Sequence, residues 1–137
     1  MNKKEREKFL LDNWRFKTLN FKFSRSGVCR IYDKRSDKTR FYAGGYGYDK
    51  KGTCLAKFMN HYFNNELKKL DSSKFYGLTH YNKKTNKRLK KGNTNTISYL
   101  DGACGFESMT PILEKIGFKL EFILESNDSI VYQLKSK

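Results

Sequence analysis

A chain of 137 residues, 37% hydrophobic, 15% aromatic and 31% charged with a single proline, has the size and composition of one folded domain and is too aromatic for a disordered tail. Its net charge of +15 is unevenly spread: residues 1–92 hold 25 Lys and Arg against 8 Asp and Glu, whereas residues 93–137 hold 4 against 6. Self-repulsion of that size argues for a polyanionic partner, while the absence of a long apolar run and the charges within the first 11 residues argue against a membrane span or a signal peptide.

Residues 3–14 read as a short helix with Phe9, Leu10 and Trp14 on one face. The period then changes to two: Leu19, Phe21 and Phe23 alternate with Asn20 and Lys22, giving a strand that ends in the turn Ser24-Arg-Ser-Gly27. Residues 28–32 form a second strand, 33–38 a charged turn and 39–43 a third strand, so an antiparallel meander is expected. Leu55, Phe58, Met59, Tyr62, Phe63, Leu67 and Leu70 recur at helical spacing and predict a helix over about residues 50–70.

Residues 75–81 read as a strand, 82–92 as a basic hairpin or loop, and 94–100 as a strand pairing back. A second main helix is expected with Thr110 as N-cap, Pro111 as its first residue and Gly117 as its stop. Phe118, Leu120, Phe122 and Leu124 then alternate with Lys119, Glu121 and Ile123, and after the turn at 126–129 residues 130–134 complete a terminal hairpin. With no long linker, the whole chain (1–137) reads as a single α+β domain: a mostly antiparallel sheet of five to seven strands, two main helices and an N-terminal helix.

An ungapped shift of 58 residues places Gly44 on Gly102, Gly47 on Gly105, Leu55 on Leu113 and Lys57 on Lys115, with Tyr48 on Phe106 and Asp49 on Glu107. Two pseudo-repeated strand, glycine turn, helix units (about 39–81 and 94–124) are therefore expected to share one sheet. Glycines at the start of a helix can let backbone amides cradle a phosphate, but neither unit has the Gly-Lys-Ser/Thr of a P-loop. The repeat favours the architectural reading, in which the glycines permit close packing, because Glu107 would repel an anion.

Six of the nine residues 83–91 are basic: Lys83, Lys84, Lys87, Arg88, Lys90 and Lys91. With Lys34, Arg35, Lys38, Arg40, Lys50 and Lys51 from neighbouring turns they could line a continuous positive surface for phosphates, and Tyr81 or Tyr46 could stack on unpaired bases. No catalytic residues are assigned. The carboxylates are scattered, a thiol–imidazole pairing of Cys104 with His61 or His80 is disfavoured against a buried structural cysteine, and no Cys or His spacing fits a metal. Three cysteines at long spacings (Cys29, Cys54, Cys104) suggest reduced, buried thiols and a cytoplasmic protein.

The string Ala43-Gly-Gly-Tyr-Gly-Tyr-Asp-Lys50 followed by Leu55-Ala56, together with Ile116-Gly-Phe-Lys-Leu-Glu121, resembles a group of small uncharacterised proteins of phages and other mobile elements over about residues 40–125. Those proteins carry a cysteine where this chain has Tyr46, which leaves any role for that position open. The resemblance implies an intracellular accessory protein and no reaction. The expectation is thus a non-enzymatic protein without cofactor that binds nucleic acid, or a complex built on it, through the basic face. The alternatives are an anti-CRISPR-like counter-defence inhibitor of a host nuclease, and an enzyme handling a phosphate or nucleotide ligand at the glycine turns.

Overall fold

The computed structural model describes residues 1–12, 18–44, 49–89 and 96–137. Trp14, Tyr46, Lys90 and Lys91 fall outside them. Among the described residues the order is α1 (Lys3–Asp12), β1 (Leu19–Ser24), β2 (Cys29–Asp33), β3 (Thr39–Ala43), α2 (Lys50–Tyr62), α3 (Asn64–Leu67), a 3₁₀ turn (Ser72–Lys74), β4 (Leu78–Asn82), β5 (Arg88–Leu89), β6 (Thr96–Leu100), α4 (Phe106–Ile116), β7 (Phe118–Glu125) and β8 (Ser129–Ser136). The fold is α+β, with antiparallel sheets and helices packed on them.

The expected meander and terminal hairpin both form. They join through the β1–β8 pair, so the five-stranded sheet runs β3-β2-β1-β8-β7 and its two central strands come from opposite ends of the chain. Alternation buries Leu19, Phe21 and Phe23 of β1 with Cys29 and Ile31 of β2 on one face. Helices α2 and α4 cover that face through their apolar sides. Phe21 meets Phe58 edge-on at 5.0 Å, Phe23 meets Phe106 at 5.0 Å, and Phe63 lies 4.8 Å from Phe118. From α1, Leu10 is buried and Phe9 rests on Phe63 and Phe118.

Three expectations are corrected. The two glycine units do not share a sheet: β3 edges the five-stranded sheet, whereas β6 belongs to a separate three-stranded sheet, β5-β4-β6, which gives eight strands among the described residues. The cause lies in α2, whose Asn60 side chain donates to the Leu100 carbonyl at 2.9 Å and accepts from the Leu100 amide at 2.7 Å. The end of β6 is thereby tied to a helix instead of to the larger sheet. Second, the helix expected over 50–70 breaks at Phe63 (φ −120°, ψ 25°), because its fully buried ring turns into the cluster with Phe9, Phe58 and Phe118.

Third, α4 opens at Phe106, not at Thr110, and Pro111 sits inside it. A proline there leaves the Glu107 carbonyl without its usual amide donor, and the Thr110 hydroxyl donates to that carbonyl at 3.4 Å. The stop at Gly117 is as expected, with φ 105° in the left-handed region.

The helices approach so closely at Gly52 that a Cβ there would lie 2.1 Å from the Cys104 carbonyl oxygen and 2.8 Å from the Gly105 carbonyl carbon. Gly52→Ala is therefore expected to cost at least about 1–3 kcal/mol in a urea unfolding titration. Gly102→Ala, whose new methyl would meet Thr53 at an ordinary 3.6 Å, should change stability little.

Candidate nucleic-acid interface

The N-termini of both main helices converge on one side chain. Asp49 caps α2, its Oδ1 accepting from the amides of Lys51 (3.0 Å) and Gly52 (3.4 Å), while its Oδ2 accepts from the Phe106 amide, the first of α4, at 2.8 Å. The N-cap of α4 is Gly105, which has no side chain to offer, so the cap is supplied from 57 residues away. Thr53 extends the seam, its hydroxyl lying within bonding distance of the Asp49 and Gly102 carbonyls. The amides of Lys51, Gly52 and Phe106, at the starts of the two helices, thus already serve an internal carboxylate.

Attention shifts to the basic turns, which prove to be two copies of one design. In the β2–β3 turn the Asp33 amide donates to the Lys38 carbonyl (3.0 Å), the Asp37 amide to the Asp33 carbonyl (2.7 Å), and Asp33 Oδ1 accepts from the Arg35 amide (2.9 Å), with Asp37 at φ 58°. In the β4–β5 turn the Asn82 amide donates to the Lys87 carbonyl (2.9 Å), the Asn86 amide to the Asn82 carbonyl (2.8 Å), and Asn82 Oδ1 accepts from the Lys84 and Thr85 amides (2.8 and 3.1 Å), with Asn86 at φ 53°. Short side-chain acceptors at the turn entry and Asp or Asn at the left-handed position are what such a turn demands.

The sequence carries this duplication at a shift of 49 residues: Tyr32-Asp-Lys-Arg-Ser-Asp-Lys38 against Tyr81-Asn-Lys-Lys-Thr-Asn-Lys87. The shift of 58 that aligns the glycine turns hides it, because β5 and the segment after it intervene in the second half. Each turn leads into an edge strand, β3 or β5. Each holds three cations, Lys34, Arg35 and Lys38 or Lys83, Lys84 and Lys87, and all six are exposed. Among the described residues no carboxylate lies within salt-bridge distance of Lys34, Lys38, Lys83, Lys84 or Lys87; the ion pairs are those of Arg25 with Glu125, Arg30 with Asp37 and Arg88 with Asp101.

The other cations named from the sequence sit on different elements. Lys50 and Lys51 begin α2, with Lys50 Cγ 3.9 Å from where a Gly27 Cβ would lie in the β1–β2 turn. The five residues of β2, about 16 Å at ~3.3 Å per residue, run from that turn to the one that carries Lys34, Arg35 and Lys38. Arg40 is exposed on β3. Arg88 is bound to Asp101 at 3.1 Å, and its guanidinium is held in the charged form first by a hydrogen bond with Tyr81 and then by that carboxylate. Tyr81 packs edge-on against Tyr99 at 5.0 Å.

His61 stacks on Phe41 and Tyr62, and His80 pairs with the Ser98 hydroxyl at 3.2 Å; neither hydrogen-bonds Cys104. Among the described residues no three His, Cys, Asp or Glu side chains gather into a metal-holding group, and no helix is long and apolar enough to cross a membrane. No family model, curated protein or solved structure matches the chain.

Burial pushes the thiols of Cys29 and Cys104 up and that of Cys54 up to about 12. A raised folded-state pKa keeps each thiol protonated where an unfolded chain would ionise, so stability falls as pH rises through the ordinary thiol range. At pH 8 the native protein is expected to leave Ellman's reagent essentially unreacted over minutes, with three thiols appearing on denaturation. Fast reaction of one native cysteine would show an activated thiol instead.

Proposed function

We propose that the protein binds nucleic acid without catalysis, through the phosphate backbone, as a cytosolic accessory protein of the mobile-element kind that its glycine-turn motif resembles. The observation that carries this reading is the duplicated basic turn. Two hairpins of one hydrogen-bonding design each project three cations, and five lysines among the six have no carboxylate neighbour among the described residues.

Unneutralised lysines raise the cost of folding through mutual repulsion, a cost that a polyanion relieves. Built twice on rigid hairpins, they can engage two stretches of backbone at once, and joint engagement of two weak contacts raises affinity well beyond either. Arg25 and Arg30, by contrast, are paired within the chain and contribute less. The three free, buried cysteines suit a reducing compartment.

Anisotropy titrations against labelled single-stranded DNA, duplex DNA and RNA at several salt concentrations test the proposal. Each bound phosphate contributes about −0.7 to the slope of log K against log salt for single strands. Changing Lys83, Lys84 and Lys87 to Gln should flatten the slope by about 2, and changing Lys34, Arg35 and Lys38 to Gln should do the same. Unaltered affinity and slope in both triple variants would remove the turns from the interface. Absence of binding to every nucleic acid near physiological salt would favour a host nucleic-acid enzyme as the partner.

A further inference from the structure

The two copies of the basic turn differ in what surrounds the tyrosine before each. Tyr32, in the first copy, has the Arg30 guanidinium 4.1 Å over its ring and its hydroxyl within 3.4 Å of the Asn20 amide nitrogen, so one aromatic face is occupied from within. Tyr81, in the second copy, lines an open cleft of ≈ 340 Å³ together with Asn86, Tyr99, Leu100, Asp101 and Gly102. That volume is at the small end of the ~300–1,000 Å³ of ligand clefts.

The cleft combines the groups that recognise a nucleobase. Tyr81 and Tyr99 stand on neighbouring strands with ring planes at 87°, so a flat ring laid on one meets the edge of the other. Among the described residues, Asp101 supplies a carboxylate whose Oδ1 takes one bond, from the Ala103 amide at 2.9 Å, and whose Oδ2 takes one, from Arg88 at 3.1 Å. A carboxylate has room for about four, so acceptor capacity remains for an exocyclic amine. Arg88 offsets its charge, and Lys83, Lys84 and Lys87 are exposed in the adjoining β4–β5 turn. Asn86, held left-handed at the turn, adds an amide at the rim.

We propose that this cleft takes one unpaired base of a single strand, stacked on Tyr99 with Tyr81 at its edge, and that Asp101 selects bases that carry an exocyclic amine, such as cytosine, over thymine or uracil. The inference rests on the nucleic-acid reading above and names its ligand more narrowly: a strand with splayed bases, where a duplex would offer phosphates alone.

Equal-length labelled strands of deoxycytidine, thymidine and abasic sugar-phosphate, titrated against the full-length protein at one salt concentration, separate the two ideas. The base-bearing strands should bind on the order of tenfold tighter than the abasic one, with deoxycytidine ahead of thymidine. Tyr99→Leu, which keeps an apolar side chain without an aromatic face, and Tyr99→Ala should each bring that ratio towards one while leaving the abasic affinity unchanged. Asp101→Asn should erase the preference for deoxycytidine. Equal binding of abasic and base-bearing strands by the wild type, or a ratio that survives both Tyr99 variants, would overturn the base site while leaving phosphate binding in place. Free cytidine monophosphate binding as tightly as the strand would overturn a strand as the source of the base. Failure of all three strands to bind would overturn the underlying reading as well.

Discussion

One carboxylate organises this molecule. Asp49 ends the glycine segment after β3 and hydrogen-bonds the first free amides of α2 with one oxygen and the first amide of α4 with the other. Unsatisfied amides at a helix start carry partial positive charge, so two such ends facing each other would repel. A single anion between them turns the repulsion into a joint. Gly52, Thr53 and Asn60 complete the seam against Cys104, Gly102 and Leu100, and α2 contacts strands of both sheets.

Free amides at a helix start make an anion site; here Asp49 supplies the anion to Lys51, Gly52 and Phe106, and Gly52 permits the close approach. The surplus positive charge is carried at the hairpin tips, where Asp33 and Asn82 fold their own turns and leave the lysines extended into solvent. Structure and charge are in this way divided between two sets of turns. Asp49 joins the starts of the two main helices, and the basic turns carry exposed lysines.

Much of the fold was legible in the amino-acid order. The meander, the terminal hairpin and the stop at Gly117 follow from period-two alternation and from a glycine placed where a left-handed residue is needed. The rest depended on contacts distant in sequence. Phe63 breaks a helix where the rings of Phe9 and Phe118, distant in sequence, receive it, and α4 starts four residues before its local cap signal because its cap comes from Asp49. The second sheet exists because Asn60 occupies the backbone of Leu100. As for the candidate site, the lysines of 83–87 stood out as a run and 33–38 as a charged turn, but their equivalence did not show. The signal was present as a repeat at 49 residues, masked by the stronger glycine repeat at 58. Asp101, Tyr99 and Asn86 had no local pattern to mark them, since strand pairing and one positive φ bring them together.

Amide hydrogen exchange in Asp49→Ala tests the central joint most directly, because it reads both helices after one side chain is removed. Loss of a carboxylate shared between the helices should speed exchange at Phe106 together with Lys51 and Gly52, although Phe106 is 57 residues away in the chain. Faster exchange confined to Lys51 and Gly52, with Phe106 unchanged, would show that Asp49 caps α2 alone and would contradict the account.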